Sequence, residues 1–161
     1  MTIKTRLSDK DYIQLSLVVL YQKPAIKLFI GIALAVFIVA LFGLIAEPGS
    51  VTISNFILPV LILAMPPLFT WYNSKKMLRS NKLVTKPYDY IIEADSFGIS
   101  GELFNARFSW DKIYKVTKTK KWLLVWQHSQ LAYGIPLRDT WDGEIAALKD
   151  ILIANKVKNN L

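Results

Sequence analysis

Two long stretches without a charged side chain follow each other closely in this chain, and they constrain its fold more than any other feature. The first covers residues 28–46 and the second residues 56–72. A helix rises about 1.5 Å per residue, so the first stretch reaches roughly 28 Å, close to the ~30 Å hydrocarbon core of a bilayer. The pair therefore predicts a transmembrane hairpin of two helices.

The distribution of basic residues predicts how this hairpin is oriented. The loop at residues 47–55 contains no Lys or Arg, whereas both outer flanks are basic: Lys4, Arg6, Lys10, Lys23 and Lys27 on one side, and Lys75, Lys76, Arg79, Lys82 and Lys86 on the other. Positively charged segments stay in the cytoplasm. We therefore expect both termini in the cytoplasm of a multi-pass protein of the bacterial inner membrane. The predicted membrane-interface anchors are Trp71, Tyr72, Lys75, Lys76 and Arg79.

The net charge of +8 lies mainly beside the hairpin. Residues 1–27 contribute +3, Glu47 contributes −1 and residues 73–86 contribute +5, whereas residues 87–161 contribute only +1. This pattern favours anionic lipid headgroups over nucleic acid as the partner of the basic residues. The chain has no cysteine and one histidine, His128. We therefore expect no disulfide, no metal site, no cofactor and no thiol catalysis.

The first 27 residues are predicted to form a strand followed by a helix. Residues 2–7 alternate between apolar and polar, with Ile3 on one face, which is typical of a half-buried strand. Ser8 and Asp11 have the spacing of a capping box, so a helix is expected to begin there. Two interpretations of the segment 11–22 remain open: a separate buried or interfacial helix, or an extension of the first span.

From Tyr88 the apolar pattern changes to period two, which indicates short strands separated by turns. A closing helix is predicted over about 141–156, capped by Asp139 or Thr140. Together these elements predict an α+β membrane protein: a helical hairpin, a basic linker at 73–86, and a cytoplasmic antiparallel sheet or roll at 87–161 covered by the closing helix. Because both termini face one compartment, the strand near Ile3 is free to join this sheet.

Several short motifs in this chain match the YcxB-like family of bacterial membrane proteins, which it resembles along essentially its whole length. They are Leu7-Ser8-Asp9-Lys10-Asp11-Tyr12, the two-span hairpin, Phe97-Gly98-Ile99, Phe108-Ser109-Trp110-Asp111-Lys112-Ile113, and Ile135-Pro136 before the last helix. The resemblance implies a cytoplasmic domain similar to a pleckstrin-homology β-roll. It carries no established activity or functional residue.

The strongest candidate site is a basic turn next to a tryptophan. Basic side chains beside an aromatic ring, in a domain tethered to a membrane, suit anionic headgroups or a protein partner. The alternative is an ordinary solvated hairpin turn. Trp122 and Trp126 are four residues apart on one strand face, which we expect to point into the core. The candidate binding residues are Lys115, Lys118, Lys120, Lys121 and Trp122.

No catalytic pattern stands out, so we expect a non-enzymatic binding or regulatory module that acts through its β domain on a protein partner or anionic lipid. The alternative is a small accessory subunit that acts through its spans. Small residues in the first span would allow close helix packing, including a homo-oligomer: Gly31, Ala33, Ala35, Ala40 and Gly43.

Overall fold

The computed structural model describes residues 1–47, 49, 51–102 and 104–161, together with the backbone but not the side chains of Lys82 and Leu83. The loop positions Pro48 and Ser50, and Leu103 in a predicted strand, lie outside the described residues. The chain divides into two compact units. We call Met1–Leu15 with Ser80–Leu161 the β unit, and Ser16–Arg79 the apolar unit.

The protein is α+β, and its strands form two antiparallel sheets. One sheet has the order β1-β2-β3-β4 and the other β5-β6-β7. The strands of the first sheet are β1 (Thr2–Arg6), β2 (Pro87–Ile92), β3 (Ser96–Gly101) and β4 (Asn105–Ser109). Those of the second are β5 (Lys115–Lys118), β6 (Trp122–His128) and β7 (Leu131–Pro136).

The N-terminal strand does join the sheet. β1 pairs antiparallel with β2, with Ile3 opposite Tyr90 and Arg6 opposite Pro87. The terminal ammonium of Met1 extends the ladder by donating to the carbonyl of Ile92 at 2.6 Å. Residues 7–86, which include both apolar helices, are therefore an insertion between two neighbouring strands.

One hydrophobic core lies between the two sheets and the closing helix α4 (Asp142–Ala154). Phe97 comes from the first sheet, Leu123 and Val125 from the second, and Leu148 and Leu152 from α4; all five are at most 1% exposed. These two leucines place one face of the predicted closing helix in the core. Burial of a side chain of this size stabilises the fold by roughly 1.5–3 kcal/mol.

The middle strand of the second sheet, β6, is buried on both faces from Trp122 to Trp126. Leu123 and Val125 belong to the main core, so the alternating residues Trp122, Leu124 and Trp126 face the other way, and they too are buried. The two tryptophans are therefore buried as expected, but on the face of β6 opposite the main core. Helix α1 contributes to their burial, because Leu15 packs over Gly134, the residue opposite Leu124.

Helix α1 (Asp9–Gln22) begins as the capping box predicted. The Ser8 N–H donates to Asp11 Oδ2 at 2.9 Å, and the Asp11 N–H donates to Ser8 Oγ at 3.2 Å. Lys23 is extended, with φ −71° and ψ 130°, and Pro24 opens the next helix. Because of this break, the segment 11–22 is a separate helix and not a continuation of the first span.

The apolar unit contains two helices that are long and apolar enough to cross a membrane, α2 (Pro24–Ala46) and α3 (Ser54–Ser80). Helix α2 extends the predicted span 28–46 at its start only, whereas α3 extends the predicted span 56–72 at both ends and includes much of the predicted linker 73–86. Ala33 and Ala40 of α2 and Pro59 of α3 are buried, and the rings of Phe37 and Phe56 meet edge to face at 5.5 Å. Most other apolar side chains of both helices are exposed.

The predicted cap of the closing helix is wrong. Trp141 occupies the N-cap position, and its backbone N–H donates to the Glu144 carboxylate at 3.2 Å. The two expected caps have other partners: Asp139 accepts from the Thr5 hydroxyl, and the Thr140 hydroxyl donates to the carbonyl of Leu137. The cap therefore falls one residue later than the sequence suggested.

Replacement of Gly134 by alanine should destabilise the β unit, because a Cβ atom there would overlap the side chain of Leu15. We expect a loss of about 1–3 kcal/mol in the free energy of unfolding, typical of overpacking. Chemical denaturation of the full chain in detergent micelles, followed by tryptophan fluorescence, measures it.

The control for this variant is Gly143→Ala, because a Cβ atom at Gly143 meets nothing within 4 Å. The double variant Leu15→Ala/Gly134→Ala should lose less than the sum of the two single losses, since the smaller residue 15 makes room. Strictly additive losses would contradict the packing of α1 on β7.

Candidate functional site

A cavity of about 390 Å³ opens in the β unit beside the turn from β5 to β6. Three parts of the chain form its wall: the first half of α1, the start of β6 with the turn before it, and the end of β7 with the 3₁₀ turn Leu137–Asp139. We call it the basic cavity. Its lining residues are Asp11, Gln14, Lys120, Lys121, Trp122, Pro136, Leu137 and Arg138.

The turn that carries the two lysines is closed by its own hydrogen bonds. The Thr119 N–H donates to the carbonyl of Trp122 at 2.8 Å, and the Trp122 N–H donates to Thr119 Oγ1 at 3.1 Å. The Leu137 N–H donates to the carbonyl of Lys121 at 2.9 Å, which ties the turn to the opposite wall. The backbone that presents Lys120 and Lys121 is therefore fixed on both sides.

Arg138 joins the third wall to α1 through a two-pronged ion pair. Its Nη1 and Nη2 donate to Asp11 Oδ1 and Oδ2 at 3.1 and 2.8 Å, and Nη2 also donates to the carbonyl of Arg6 at 3.3 Å. Paired N–H···O bonds of this kind are the strongest side-chain hydrogen bonds that arginine makes. They hold the start of α1 against the end of β7.

This ion pair shifts the charge balance of the cavity. The pKa of Asp11 is lowered from its ordinary value of 3.8 to about 2, first by the hydrogen bond from Arg138 and then by the bonds from Ser8, against burial, which raises it. The Asp11 carboxylate is therefore fully charged at neutral pH and already occupied by Arg138. Lys120 and Lys121 are exposed and form no ion pair with any described residue, so their charges are not compensated by the wall.

Trp122 adds a buried donor to the same wall. Its side chain is 2% exposed, and among the described residues its Nε1 is the one buried side-chain nitrogen or oxygen with no hydrogen-bond partner. An unpaired buried donor costs about 1–3 kcal/mol, so such groups are rare unless they serve a purpose. By contrast, Trp126 Nε1 donates to Thr117 Oγ1 at 2.9 Å.

The cavity brings together three of the five residues proposed from sequence: Lys120, Lys121 and Trp122. The other two lie elsewhere. Lys118 is exposed, and its backbone N–H donates to Asn160 Oδ1 at 2.6 Å. Lys115 lies with its Nζ 5.0 Å from the centre of the Trp126 ring, in a cation–π contact.

The residues that sequence reasoning did not assign to the site come from α1 and from the 3₁₀ turn. Asp11 was predicted only as part of a helix cap, and Arg138 lies 127 residues away from it in the chain. Complementary charge alone does not identify such a pair. Arg107 lines a different cavity and pairs with Glu93 and Ser96.

The predicted interface anchors lie together on α3. Trp71 and Tyr72 are exposed, and the Lys75 Nζ lies 3.9 Å from the centre of the Trp71 ring. Lys76 and Arg79 follow on the same helix and are also exposed. This sequence of aromatic and then basic side chains is typical of a helix that leaves a bilayer.

The single histidine lies apart from the basic cavity. His128 is exposed in the turn after β6, and its Nδ1 accepts the backbone N–H of Gln130 at 3.2 Å. Among the described residues, no three His, Asp or Glu side chains converge in a way that could hold a metal ion. No protein-family model, curated protein or solved structure matches the chain.

The stability of the β unit should fall between about pH 4 and pH 2. The folded pKa of Asp11 is about 2, below its ordinary value of 3.8, so the folded state binds fewer protons there than the unfolded state. The stabilisation is complete above pH 4 and is lost as the pH falls through 2. Because the pair is partly exposed, we expect roughly 1 kcal/mol.

Denaturation of the full chain in detergent over this pH range measures the effect. Asp11→Asn should be less stable at pH 7 and should lose the part of the pH dependence that belongs to the pair. Asp9→Asn is the matched control, since Asp9 lies in the same helical turn, is exposed and forms no ion pair with any described residue. Equal pH curves for the two variants would contradict the assignment.

Proposed function

We propose that this protein is a non-enzymatic binding or regulatory module, anchored in the bacterial inner membrane, that engages an anionic lipid or a protein partner through its β unit. The observation that carries the proposal is the basic cavity. Two lysines without a carboxylate partner project from a fixed turn, in a chain that also has two helices suited to a membrane. Fixed cations of this kind attract anionic ligands.

The proposed topology places both termini in the cytoplasm. Arg6 and Pro87 are opposite each other in the ladder, so the chain leaves the first sheet and returns to it at the same place. A chain that starts and ends on one side of a bilayer crosses it an even number of times. Two spans, basic outer flanks and a loop without Lys or Arg support this arrangement.

The resemblance to the YcxB-like family supports the same proposal. It implies a β-roll of the pleckstrin-homology kind, and the β unit has four strands in one sheet, three in the other and a closing helix in its core. The family has no established activity to transfer, so the proposal depends on the cavity and the anchor.

Site-specific photo-crosslinking in bacterial membranes tests the proposal. A photo-crosslinking amino acid in place of Lys118, next to the cavity but outside its wall, should label a lipid or one discrete protein. The label should be lost when Lys120→Gln and Lys121→Gln are introduced together, because the charges that hold the ligand are gone.

The same photo-crosslinking amino acid in place of Lys149 is the control, since Lys149 is exposed on α4 and away from the cavity. Identical products from the two positions, or a Lys118 product that survives both glutamine substitutions, would refute the proposal.

The second candidate function, an accessory subunit of a membrane assembly, is favoured by one face of α2. Ala33 and Ala40 are buried within the apolar unit, whereas Gly31 and Ala35, one turn apart, are exposed. A Cβ atom at Gly31 would meet nothing within 4 Å. Small exposed residues at this spacing allow another helix to approach closely.

Gly31→Leu separates the two candidate functions. If the spans pack against another membrane protein, this variant should fold normally but lose the larger species seen on native gels of mild detergent extracts. Ala35→Ser keeps the residue small and is the matched control. Unchanged native-gel mobility of Gly31→Leu would leave the β unit as the functional part.

A further inference from the structure

The basic cavity has an excess of positive charge that its own wall does not neutralise. Its one carboxylate, Asp11, is held by both terminal nitrogens of Arg138. Lys120 and Lys121 remain exposed on the adjoining wall, with no acidic partner among the described residues. An anion in the cavity would therefore meet two ammonium groups and no free carboxylate.

The same wall also offers a neutral donor. Gln14 lines the cavity and contributes a side-chain amide from α1. Trp122 lines it as well, and its indole N–H is buried with no partner among the described residues. An anion with several oxygens can accept from the lysines and from the Gln14 amide together. A carboxylate offers two oxygens in a plane, whereas a phosphate offers a tetrahedral set.

The cavity is built before any ligand arrives. The Lys121 carbonyl is bonded to Leu137, the turn is closed by Thr119, and Arg138 clamps α1. A preformed site loses little conformational entropy on binding. Its volume of about 390 Å³ lies in the range of small-molecule sites and leaves room for the group that carries the phosphate.

We propose that the basic cavity is a binding site for a phosphate group carried by a small molecule or a lipid headgroup, with Lys120 and Lys121 as its charged ligands. Lysine binds phosphate as a compact point charge. This inference rests on the proposed binding function and specifies the chemical class of its ligand. In a membrane-anchored chain, headgroups would be present at a high effective concentration.

The test uses the full chain labelled with ¹⁵N at the tryptophan indoles, in maltoside micelles that contain no phosphate. The chain has five tryptophans, and Trp122→Phe assigns the resonance of interest. The probes are inorganic phosphate, glycerol 3-phosphate, and nanodiscs of phosphatidylcholine alone or of equal parts phosphatidylcholine and phosphatidylglycerol.

We expect the Trp122 indole resonance to shift with saturation, and Lys120→Gln or Lys121→Gln to weaken binding roughly tenfold. Lys149→Gln, a charge change outside the cavity, should leave the affinity unchanged. A shift with the soluble probes identifies a free phosphate compound as the ligand. A shift confined to nanodiscs with phosphatidylglycerol identifies a lipid headgroup.

No shift with any probe, or a shift that both lysine variants retain, would overturn the phosphate site. That result is distinguishable from failure of the proposed function. A charge-dependent photo-crosslink from position 118 to a protein would survive it, because a carboxylate-rich partner would still need the two lysines.

Discussion

The pairing of β1 with β2 is the constraint on which the rest of the structure depends. It joins the first residues of the chain to residues on the far side of both apolar helices, with Ile3 opposite Tyr90. Closing such a long loop costs about 2–3 kcal/mol more than closing a short hairpin. Burial of Ile3 and Leu7, at 2% and 5% exposure, offsets this cost. The ladder also fixes where the insertion starts and ends, at neighbouring positions in one sheet.

The β unit is therefore not the segment 87–161 that the sequence delimited. Its first sheet needs β1, and its second sheet needs Leu15 of α1 over Gly134. The basic cavity depends on the same N-terminal residues, since Asp11 and Gln14 form one of its walls. A fragment without the first 15 residues would lack an edge strand, one wall of the site and the carboxylate that orients Arg138. For this reason, experiments on binding require the whole chain.

Local patterns predicted the elements of this fold well. The apolar helices, the capping box at Ser8 and the closing helix each depend on residues close in sequence. The turn with Lys120 and Lys121 was also recognised from its own composition. The features that were not predicted depend on contacts between residues that are far apart in the chain. Trp122 and Trp126 are buried as expected, but alternation could not show on which side of the sheet they lie, because both faces of β6 are buried. Asp139 was expected to cap α4, but Thr5, 134 residues away, binds it instead. The Arg138–Asp11 pair was not predicted for the same reason, because its two residues are also far apart in the chain.

The insertion of the hairpin between β1 and β2 also sets an order of events during synthesis. β1 leaves the ribosome first, but its partner strand is not complete until Ile92 has been added. At about 5–20 residues per second, β1 waits roughly 4–17 s without its neighbour. Both apolar helices are made within that interval. The first sheet can close only after both helices have been made. Completion of the β unit is therefore a late step, and it indicates that both apolar helices have already been synthesised.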